Sequence, residues 1–360
     1  IKKHIVGMEI LLAGVLAFAI CLLITPFLIK LLRRLKAIDS GGGRKIHKGA
    51  VPTMGGLGIF VAVMATMLIF CTSIDFHVNV HYIVGAISLM FLLGFTDDAI
   101  NLRASRKLLI MIIGATLVYM ADIRIRSLYG FFGIYDIPDI ASYLITVFTI
   151  IVIINAYNLI DGIDGLAGGL GVTTLACFTV WFILTGRLFG AIMCVSFTGA
   201  LIAFLRYNWS PARIFMGDTG SLMIGMTCAI CTLIFINAND AMPDGDPLKF
   251  KGFVAAGVTF VAYPMYDTLR VFIIRILNHR SPFSPDTQHT HHYLLRLGYN
   301  HGKVTCTILL CNIICMLVFW SISYFVSSYY VVPIILLVSL LGALYLRRVE
   351  NCHKLVKIER

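Results

Sequence analysis

The 360 residues are 59% hydrophobic and only 13% charged, with a mean hydropathy of +0.90. A soluble domain of this length could not bury so much apolar surface, so the composition predicts an integral membrane protein. The net charge of +11 does not indicate nucleic-acid binding, because Lys and Arg are gathered between apolar segments rather than in one basic stripe.

Eleven apolar segments, each close to spanning length, follow one another along the chain and predict an all-α polytopic membrane fold. They lie near 10–32, 54–74, 80–96, 107–121, 140–157, 169–186, 188–205, 220–237, 252–272, 304–325 and 330–346. The first segment is long enough to span, so we expect a membrane helix rather than a cleaved signal peptide. We expect one integral membrane domain over 1–360, with a His-rich loop at 277–303.

The distribution of basic residues predicts the orientation in the membrane. If the side reached after the first segment is called inside, inside segments carry 22 Lys and Arg and outside segments carry seven. We therefore expect an external N-terminus and a cytoplasmic C-terminus. The dense polar motifs follow segments one, three, five, seven and nine, which predicts a functional site on the cytoplasmic face.

A pair of acidic residues, Asp97 and Asp98, ends the third segment and is followed by Asn101 and Lys107. Two adjacent carboxylates repel each other unless a metal, a Lys or a shared proton relieves the repulsion. A solvated loop that ends a span is the alternative, but Lys107 favours a functional pair.

Four polar residues at intervals of three, Asn155, Asn158, Asp161 and Asp164, follow the fifth segment. A helical or near-helical path would align them, and hard cations such as Mg²⁺ prefer such oxygen donors. A helix cap that runs into a Gly-rich loop is the alternative, but it explains only part of the pattern.

Asp218 opens the eighth segment within the motif FMGDTGS. It lies where a helix N-cap is expected, and capping is the structural interpretation. Because a helix N-terminus favours a bound anion, a metal-ligating Asp beside such an anion is the functional one.

Three histidines, His289, His291 and His292, lie in the predicted loop between Arg280 and Arg296. A transition-metal site such as zinc is one interpretation. Imidazole and guanidinium groups that donate hydrogen bonds to a diphosphate agree better with the carboxylates elsewhere.

Together these stretches resemble the polyprenyl-phosphate N-acetylhexosamine-1-phosphate transferase family, and most closely its WecA/TagO-like branch. The resemblance runs from about residue 10 to 310 and rests on five motifs in the family's order: DSGGGRKIHKGAVPTMGGLG, GFTDDAINLRASRK, NAYNLIDGIDGLAGG, FMGDTGS and SPFSPDTQHTHHYLLRLG. Two features depart from the pattern: the glycines at 41–43, and Thr53, which is more typical of the muramyl-pentapeptide sister branch.

The resemblance implies a role for each motif. It implies Mg²⁺ ligands at Asn158 and Asp218, with Mn²⁺ as a substitute, and a catalytic acidic pair at Asp97 and Asp98 beside the attacking lipid phosphate. Lys107 would hold phosphate oxygens, and Asp164 would face the uracil. The full set of residues expected to bind substrate is Lys48, Asn101, Lys107, Asp161, Asp164, His289, His291 and His292.

The implied reaction transfers N-acetylglucosamine 1-phosphate from UDP-GlcNAc to polyprenyl (undecaprenyl) phosphate and releases UMP. It would be the first membrane step of a cell-surface glycan, such as lipopolysaccharide or teichoic acid, in a bacterial plasma membrane. A phosphate monoester has a second pKa near 6, so we favour direct attack by the lipid phosphate, with Asp98 assisting any residual deprotonation. A path through a phospho-aspartate at Asp98 or Asp97 is the alternative, and a homodimer is a family-level expectation.

Three other functions compete with this interpretation. The sister branch acts on UDP-MurNAc-pentapeptide and typically carries an uninterrupted His run, which Thr290 interrupts here. A transporter would place ionisable groups near the bilayer midplane, often with repeat symmetry. A CDP-alcohol phosphotransferase would carry one compact Asp-rich motif, whereas Asp97, Asp161 and Asp218 are spread over more than 120 residues.

Overall fold

The structure, a computed structural model, describes residues 2–35, 38–39, 51–71, 79–277, 279 and 289–358. These ranges are almost entirely helical, which confirms the predicted all-α class. The helices are α1 (Lys2–Arg34), α2 (Gly56–Cys71), α3 (Val80–Ile100), α4 (Ala104–Met120), α5 (Asp139–Leu159), α6 (Leu166–Leu184), α7 (Leu188–Asn208), α8 (Asp218–Asp240), α9 (Phe253–Phe260), α10 (Ala262–Leu277), α11 (Thr290–Arg296), α12 (His301–Phe325) and α13 (Ser328–Ile358). A short antiparallel pair, β1 (Ile38–Asp39) and β2 (Val51–Pro52), and a 3₁₀ turn at Phe131–Gly133 complete the regular elements of these ranges.

Seven of the predicted segments coincide with helices that are long and apolar enough to cross a membrane. Two more overlap the shorter apolar helices Gly56–Phe70 and Ser328–Gly342, and the segment near 107–121 overlaps α4. The chain is therefore a multi-pass membrane protein. The count of eleven spans and the orientation stay predictions.

The ninth predicted segment, 252–272, is two helices rather than one. Helix α9 ends at Phe260 and α10 begins at Ala262. The interruption follows from Pro264, which has no N–H to donate to the Phe260 carbonyl and whose ring would clash with it in a continuous helix. The Thr174 hydroxyl of α6 donates to that carbonyl instead, at 2.8 Å.

The predicted His-rich loop contains a short helix of its own, α11. Helix α12 then begins after Asn300, whose side chain accepts a hydrogen bond from the Lys303 N–H at 2.8 Å as an N-cap. Arg280, which flanks the histidines in the sequence, lies outside the described residues.

Helix α8 lies at the centre of the bundle. It is buried along nearly its whole length and packs mainly against α3 and α5, with further contacts to α2, α6 and α9. A helix that is apolar on all sides is one that a bundle encloses. Its first residue, Asp218, is therefore surrounded by the ends of neighbouring helices.

Two polar motifs distant in sequence lie side by side where α8 begins. The Phe215 N–H donates to the Pro52 carbonyl at 2.8 Å. The Gly55 and Gly56 N–H groups donate to the carbonyls of Phe215 and Met216, at 2.9 and 3.0 Å. These backbone hydrogen bonds fix the start of α2 against the segment that leads into α8.

Gly94 of α3 allows α3 to approach the first turn of α8 closely. A Cβ atom at position 94 would lie 2.3 Å from the Asp218 carbonyl oxygen. Residues three and four positions apart share a helix face, so Gly94 lies on the face that carries Asp97 and Asp98. The contact at Gly94 therefore sets how near these carboxylates come to α8.

We predict that Gly94→Ala destabilises the folded protein by about 1–3 kcal/mol, the usual cost of overpacking. It should also lower the transferase activity that the resemblance implies, because separating α3 from α8 displaces Asp97 and Asp98. Thermal unfolding in detergent and an activity assay measure the two effects.

Gly85→Ala, in the same helix, is the matched control, because a Cβ there meets nothing nearer than 3.7 Å. It should be neutral or stabilising by about 0.5–1 kcal/mol, since Ala favours a helix over Gly. Equal unfolding temperatures for the two variants would contradict the close-packing argument.

Candidate active site

Lys107 joins two acidic motifs at one end of the bundle. Its ammonium makes a short salt bridge to Asp97 Oδ2 and lies 3.1 Å from Asp218 Oδ2. Asp97 comes from the last turn of α3, Lys107 from the first turn of α4, and Asp218 opens α8. Two carboxylates from different motifs, Asp97 and Asp218, therefore converge on one cation.

Asn158, in the last turn of α5, contacts the other oxygen of Asp218. Its amide nitrogen donates to Asp218 Oδ1 at 2.8 Å and to the Ser221 hydroxyl at 3.0 Å. The carboxylate of Asp218 is thus held on one side by Lys107 and on the other by Asn158. The two predicted metal ligands, Asn158 and Asp218, are neighbours.

Asp98 caps α8 from a neighbouring helix. Its Oδ1 accepts from the Asp218 N–H at 3.0 Å, and its Oδ2 accepts from the Thr219 N–H at 3.0 Å and from the Thr219 hydroxyl at 2.5 Å. The first N–H groups of a helix have no partner inside it, and the helix dipole favours a carboxylate there. Asp98 accepts hydrogen bonds from two of these N–H groups and places a negative charge at the positive end of the helix dipole.

The capping interpretation of Asp218 is therefore wrong. The N-cap residue of α8 is Gly217, and no side-chain hydrogen bond is made from that position. Because Asp98 satisfies the free N–H groups, the Asp218 side chain is available to contact Lys107 and Asn158.

Asp97 also closes the end of its own helix. Its Oδ1 accepts from the Leu102 N–H at 2.7 Å, and its carbonyl accepts from the Asn101 N–H at 2.8 Å. Asn101 adopts a left-handed conformation there, with φ 52°, and its side chain is exposed. Asn101 therefore lies at the edge of the cluster, and its substrate contact stays a prediction.

The four polar residues of the second motif do not align on one helix face. Helix α5 ends at Leu159, where the Gly-rich sequence that follows disfavours a helix, so only Asn155 and Asn158 are helical. Asn155 donates to the Ile151 carbonyl of its own helix at 2.8 Å. Asn158 contacts Asp218.

Asp164, expected to face the uracil, is almost completely buried and connects the turn after α5 to two other segments. Its Oδ2 accepts from the Ala212 N–H at 3.1 Å, and its Oδ1 lies 3.5 Å from His301 Nδ1. The Thr305 hydroxyl of α12 donates to its carbonyl at 2.8 Å. Asp161, in the same turn, is only half-buried.

His291 brings the histidine cluster against this turn. A Cβ atom at Gly162 would lie 2.7 Å from His291 Nε2, so only glycine leaves room for the ring. The His291 ring stacks near His289, with centroids 5.6 Å apart, and lies 4.3 Å from the His292 ring. The third and fifth motifs of the resemblance therefore meet at Gly162.

The two ring nitrogens of His291 are buried and make no hydrogen bond to any residue that the structure describes. Burial lowers the pKa of His291 to about 3, with a smaller contribution from neighbouring His292. The ring is therefore neutral at physiological pH and has one N–H donor and one acceptor nitrogen to offer.

The zinc interpretation of the histidines finds no support in the described ranges. Within them, no group of three or more His, Cys, Asp or Glu side chains has an arrangement that could hold a metal ion. Lys48, another predicted substrate ligand, lies outside the described residues.

One residue of this region was missed by the sequence analysis. Asp267 of α10 is fully buried, and its Oδ2 lies 2.8 Å from His289 Nδ1. Its Oδ1 accepts from the Thr290 N–H at 2.8 Å, from the Thr290 hydroxyl at 2.5 Å and from Arg270 at 3.2 Å. A signal was present, because an acidic residue inside a predicted membrane span is by itself a functional hint.

Comparisons with known proteins support the family that the ordered motifs indicate. Residues 80–236 match Glycosyl transferase family 4. The chain is 29% identical to the probable undecaprenyl-phosphate N-acetylglucosaminyl 1-phosphate transferase of Bacillus subtilis, over 85% of this chain and 83% of the relative. It is 30% identical to the decaprenyl-phosphate N-acetylglucosaminephosphotransferase of Mycolicibacterium smegmatis, over 84% and 79%. It is also 30% identical to the phospho-N-acetylmuramoyl-pentapeptide-transferase of Caldanaerobacter subterraneus, over 88% and 99%.

The fold and the site thus define a multi-pass membrane phosphotransferase. The chain belongs to Glycosyl transferase family 4, among the polyprenyl-phosphate N-acetylhexosamine-1-phosphate transferases, which confirms the predicted WecA/TagO-like family.

The neutral, buried His291 makes folding stability depend on pH. Its pKa in the folded protein, about 3, lies below the ordinary value of 6.5. As the pH falls below about 6.5, the unfolded chain binds a proton that the folded protein does not, so folding is progressively destabilised. We expect His291 to contribute a loss of about 2 kcal/mol between pH 7 and pH 5.

Thermal unfolding in detergent at several pH values measures this loss. His291→Gln should flatten the decline in unfolding temperature, whereas His81→Gln, at an exposed histidine of α3, should leave it unchanged. A His291→Gln curve with the same slope as the wild-type curve would count against a buried, neutral imidazole.

Proposed function

We propose that the protein transfers N-acetylglucosamine 1-phosphate from UDP-GlcNAc to polyprenyl phosphate and releases UMP, in a Mg²⁺-dependent reaction at the cytoplasmic face of a bacterial plasma membrane. The observation that carries the proposal is the convergence of Asp97, Lys107, Asn158 and Asp218 at one end of the bundle. Four helices, α3, α4, α5 and α8, each contribute one of these groups. Together with a bound divalent cation, such a cluster suits phosphate-bearing substrates.

The names of relatives support the choice of substrates. The relatives from B. subtilis and M. smegmatis are named for undecaprenyl or decaprenyl phosphate and for N-acetylglucosamine. The relative from C. subterraneus is named for the muramoyl-pentapeptide, so overall similarity does not by itself decide the sugar. We favour N-acetylglucosamine because Thr290 interrupts the His run and is anchored on Asp267 through its hydroxyl.

The donor chemistry of the site suits Mg²⁺, an ion that proteins usually hold through one or two carboxylates together with substrate phosphates. Carboxylate and amide oxygens are the ligands that this ion prefers, and Asp97 and Asp218 already converge on a single cation, the Lys107 ammonium. We assign Asp218 and Asn158 as the protein's ligands, with Asp97 beside them and Mn²⁺ as a substitute. A bound ion would neutralise the charge of the donor's diphosphate.

The reaction itself is a single in-line displacement. An oxygen of the lipid phosphate forms a bond to the β-phosphorus of UDP-GlcNAc, and the bond from that phosphorus to the bridging oxygen breaks, so UMP leaves with the oxygen. Positioning and charge neutralisation account for most of the acceleration in such transfers. In this proposal Lys107 exchanges its carboxylate partners for phosphate oxygens.

Asp98 is assigned to holding the start of α8 rather than to attack on phosphorus. Both of its oxygens accept hydrogen bonds from the first turn of α8, which supports direct attack by the lipid phosphate over a phospho-aspartate at this position. The histidine cluster supplies hydrogen-bonding groups for the diphosphate and the sugar. Asp161 and Asp164 lie in the turn next to it.

The donor is tested with purified protein, undecaprenyl phosphate and radiolabelled nucleotide sugars offered one at a time. We expect labelled lipid from UDP-GlcNAc, with one UMP released for each lipid formed, and no product from UDP-MurNAc-pentapeptide. Preferential labelling from the pentapeptide donor would refute the sugar assignment but not the chemistry. Absence of UMP release from every UDP-sugar would refute the transferase itself.

The metal site is tested by Asp218→Asn, which removes a charged ligand and should lower kcat on the order of 10³-fold. Asp240→Asn, at the other end of α8, is the matched control and should retain activity. Asn158→Ala should raise the Mg²⁺ concentration that gives half-maximal rate. Full activity in EDTA, or an unchanged rate in Asp218→Asn, would show that the ligand assignment is wrong.

A further inference from the structure

The carboxylate of Asp267 divides its contacts between its two oxygens. Oδ1 accepts the hydrogen bonds from Thr290 and Arg270, and Oδ2 faces only the Nδ1 nitrogen of His289 among the contacts described above. We propose that Asp267 is a positioning residue, which holds His289 as the Nδ1–H tautomer and leaves Nε2 as the nitrogen that meets the substrate. This inference rests on the proposed function.

The tautomer follows from the chemistry of the pair. An ionised carboxylate only accepts hydrogen bonds, so the nitrogen that faces it has to donate. Hydrogen bonds from Thr290 and Arg270 already converge on this buried carboxylate, which favours its ionised form. His289 therefore carries its proton on Nδ1, as histidines held by a buried Asp do in other active sites.

Asp267 also positions the whole histidine cluster. Thr290 is the first residue of α11, so its bond to Asp267 ties the start of that helix to α10. The Arg270 guanidinium lies 5.1 Å from the centre of the Tyr293 ring and adds a second contact between the same two helices. Because His291 is on α11, this attachment also keeps its ring against Gly162.

The substitution Asp267→Asn separates tautomer control from packing. Asparagine keeps an oxygen in the position of Oδ1, where Thr290 and Arg270 donate. It places an NH₂ group in the position of Oδ2, so His289 Nδ1 has to accept and the ring proton moves to Nε2. Thr290→Val is the converse variant, because it removes a hydroxyl donor but keeps the bond between Asp267 and His289, so His289 should keep its proton on Nδ1.

Steady-state kinetics provide the first measurement. We expect Asp267→Asn to lower kcat/KM for UDP-GlcNAc by about tenfold or more, as loss of a partner that orients a functional histidine does. The Mg²⁺ concentration for half-maximal rate should not change, because the cluster around Asp218 is separate. Asp244→Asn, at an exposed carboxylate paired with Lys249 beyond the far end of α8, should stay near wild type.

A double variant distinguishes positioning from a merely structural role. If Asp267 acts through His289, then Asp267→Asn should add little further loss in a His289→Gln background. The same fold loss in both backgrounds, or a wild-type kcat/KM in Asp267→Asn, would overturn the proposal.

The tautomer can be measured without any substrate. Nitrogen NMR of protein labelled at histidine, with the His289 signals assigned by their loss in His289→Gln, should show the proton on Nδ1 in the wild type and on Nε2 in Asp267→Asn. A wild-type proton on Nε2 alone would overturn the inference, even if Asp267→Asn fails to fold. This result is independent of the donor assay, so failure of the proposed function and failure of this inference are distinguishable.

Discussion

The site depends on how the free N–H groups at the start of α8 are satisfied. This helix is enclosed by its neighbours, so unpaired donors at its first turn would be costly. The chain meets the need with the carboxylate of Asp98, 120 residues earlier in the sequence. If Asp218 had capped α8 itself, its carboxylate would have been used to accept from these N–H groups. Capping from α3 leaves that side chain available for Lys107 and Asn158.

The same interaction explains why several small features of the fold occur together. Asp98 reaches the α8 backbone only if α3 passes close to it, and Gly94 permits that approach. The segment before α8 is held in turn by backbone hydrogen bonds to Pro52, Gly55 and Gly56 at the start of α2. The start of α2, helix α3 and the segment before α8 are distant in sequence, but together they hold the acidic cluster in place.

Charge balance determines what this cluster can bind. Two carboxylates share one Lys, so the cluster has no surplus positive charge to offer an anion. Opposite charges about 4 Å apart attract by about 4 kcal/mol near a protein surface. In the proposed reaction a divalent cation would compensate the carboxylates, and Lys107 would be released toward a phosphate oxygen. The site therefore fits an anionic substrate that arrives together with its metal.

The sequence was sufficient for the fold class and for most of the cluster. Apolar length predicted the helices, and Lys107 close to Asp97 and Asp98 in the sequence indicated a functional site there. The break at Pro264 was readable in principle, because proline cannot continue a helix from the preceding turn. The role of Asp98 as a cap of α8 could not be predicted from the sequence, because it depends on the distance between α3 and α8. The burial of Asp164 against Ala212 and His301 is likewise a tertiary contact without a local signal.

A tertiary contact also explains why Thr290 interrupts the histidine run. By sequence alone, Thr290 is a departure from the uninterrupted run of the sister branch. In the structure its side chain is buried, and its backbone and hydroxyl both donate to Asp267. A histidine at this position would have to fit its larger ring beside the same carboxylate and would compete there with His289. Thr290 lets a single carboxylate hold both the His289 ring and the start of α11, so the interruption belongs to the way in which the cluster is positioned.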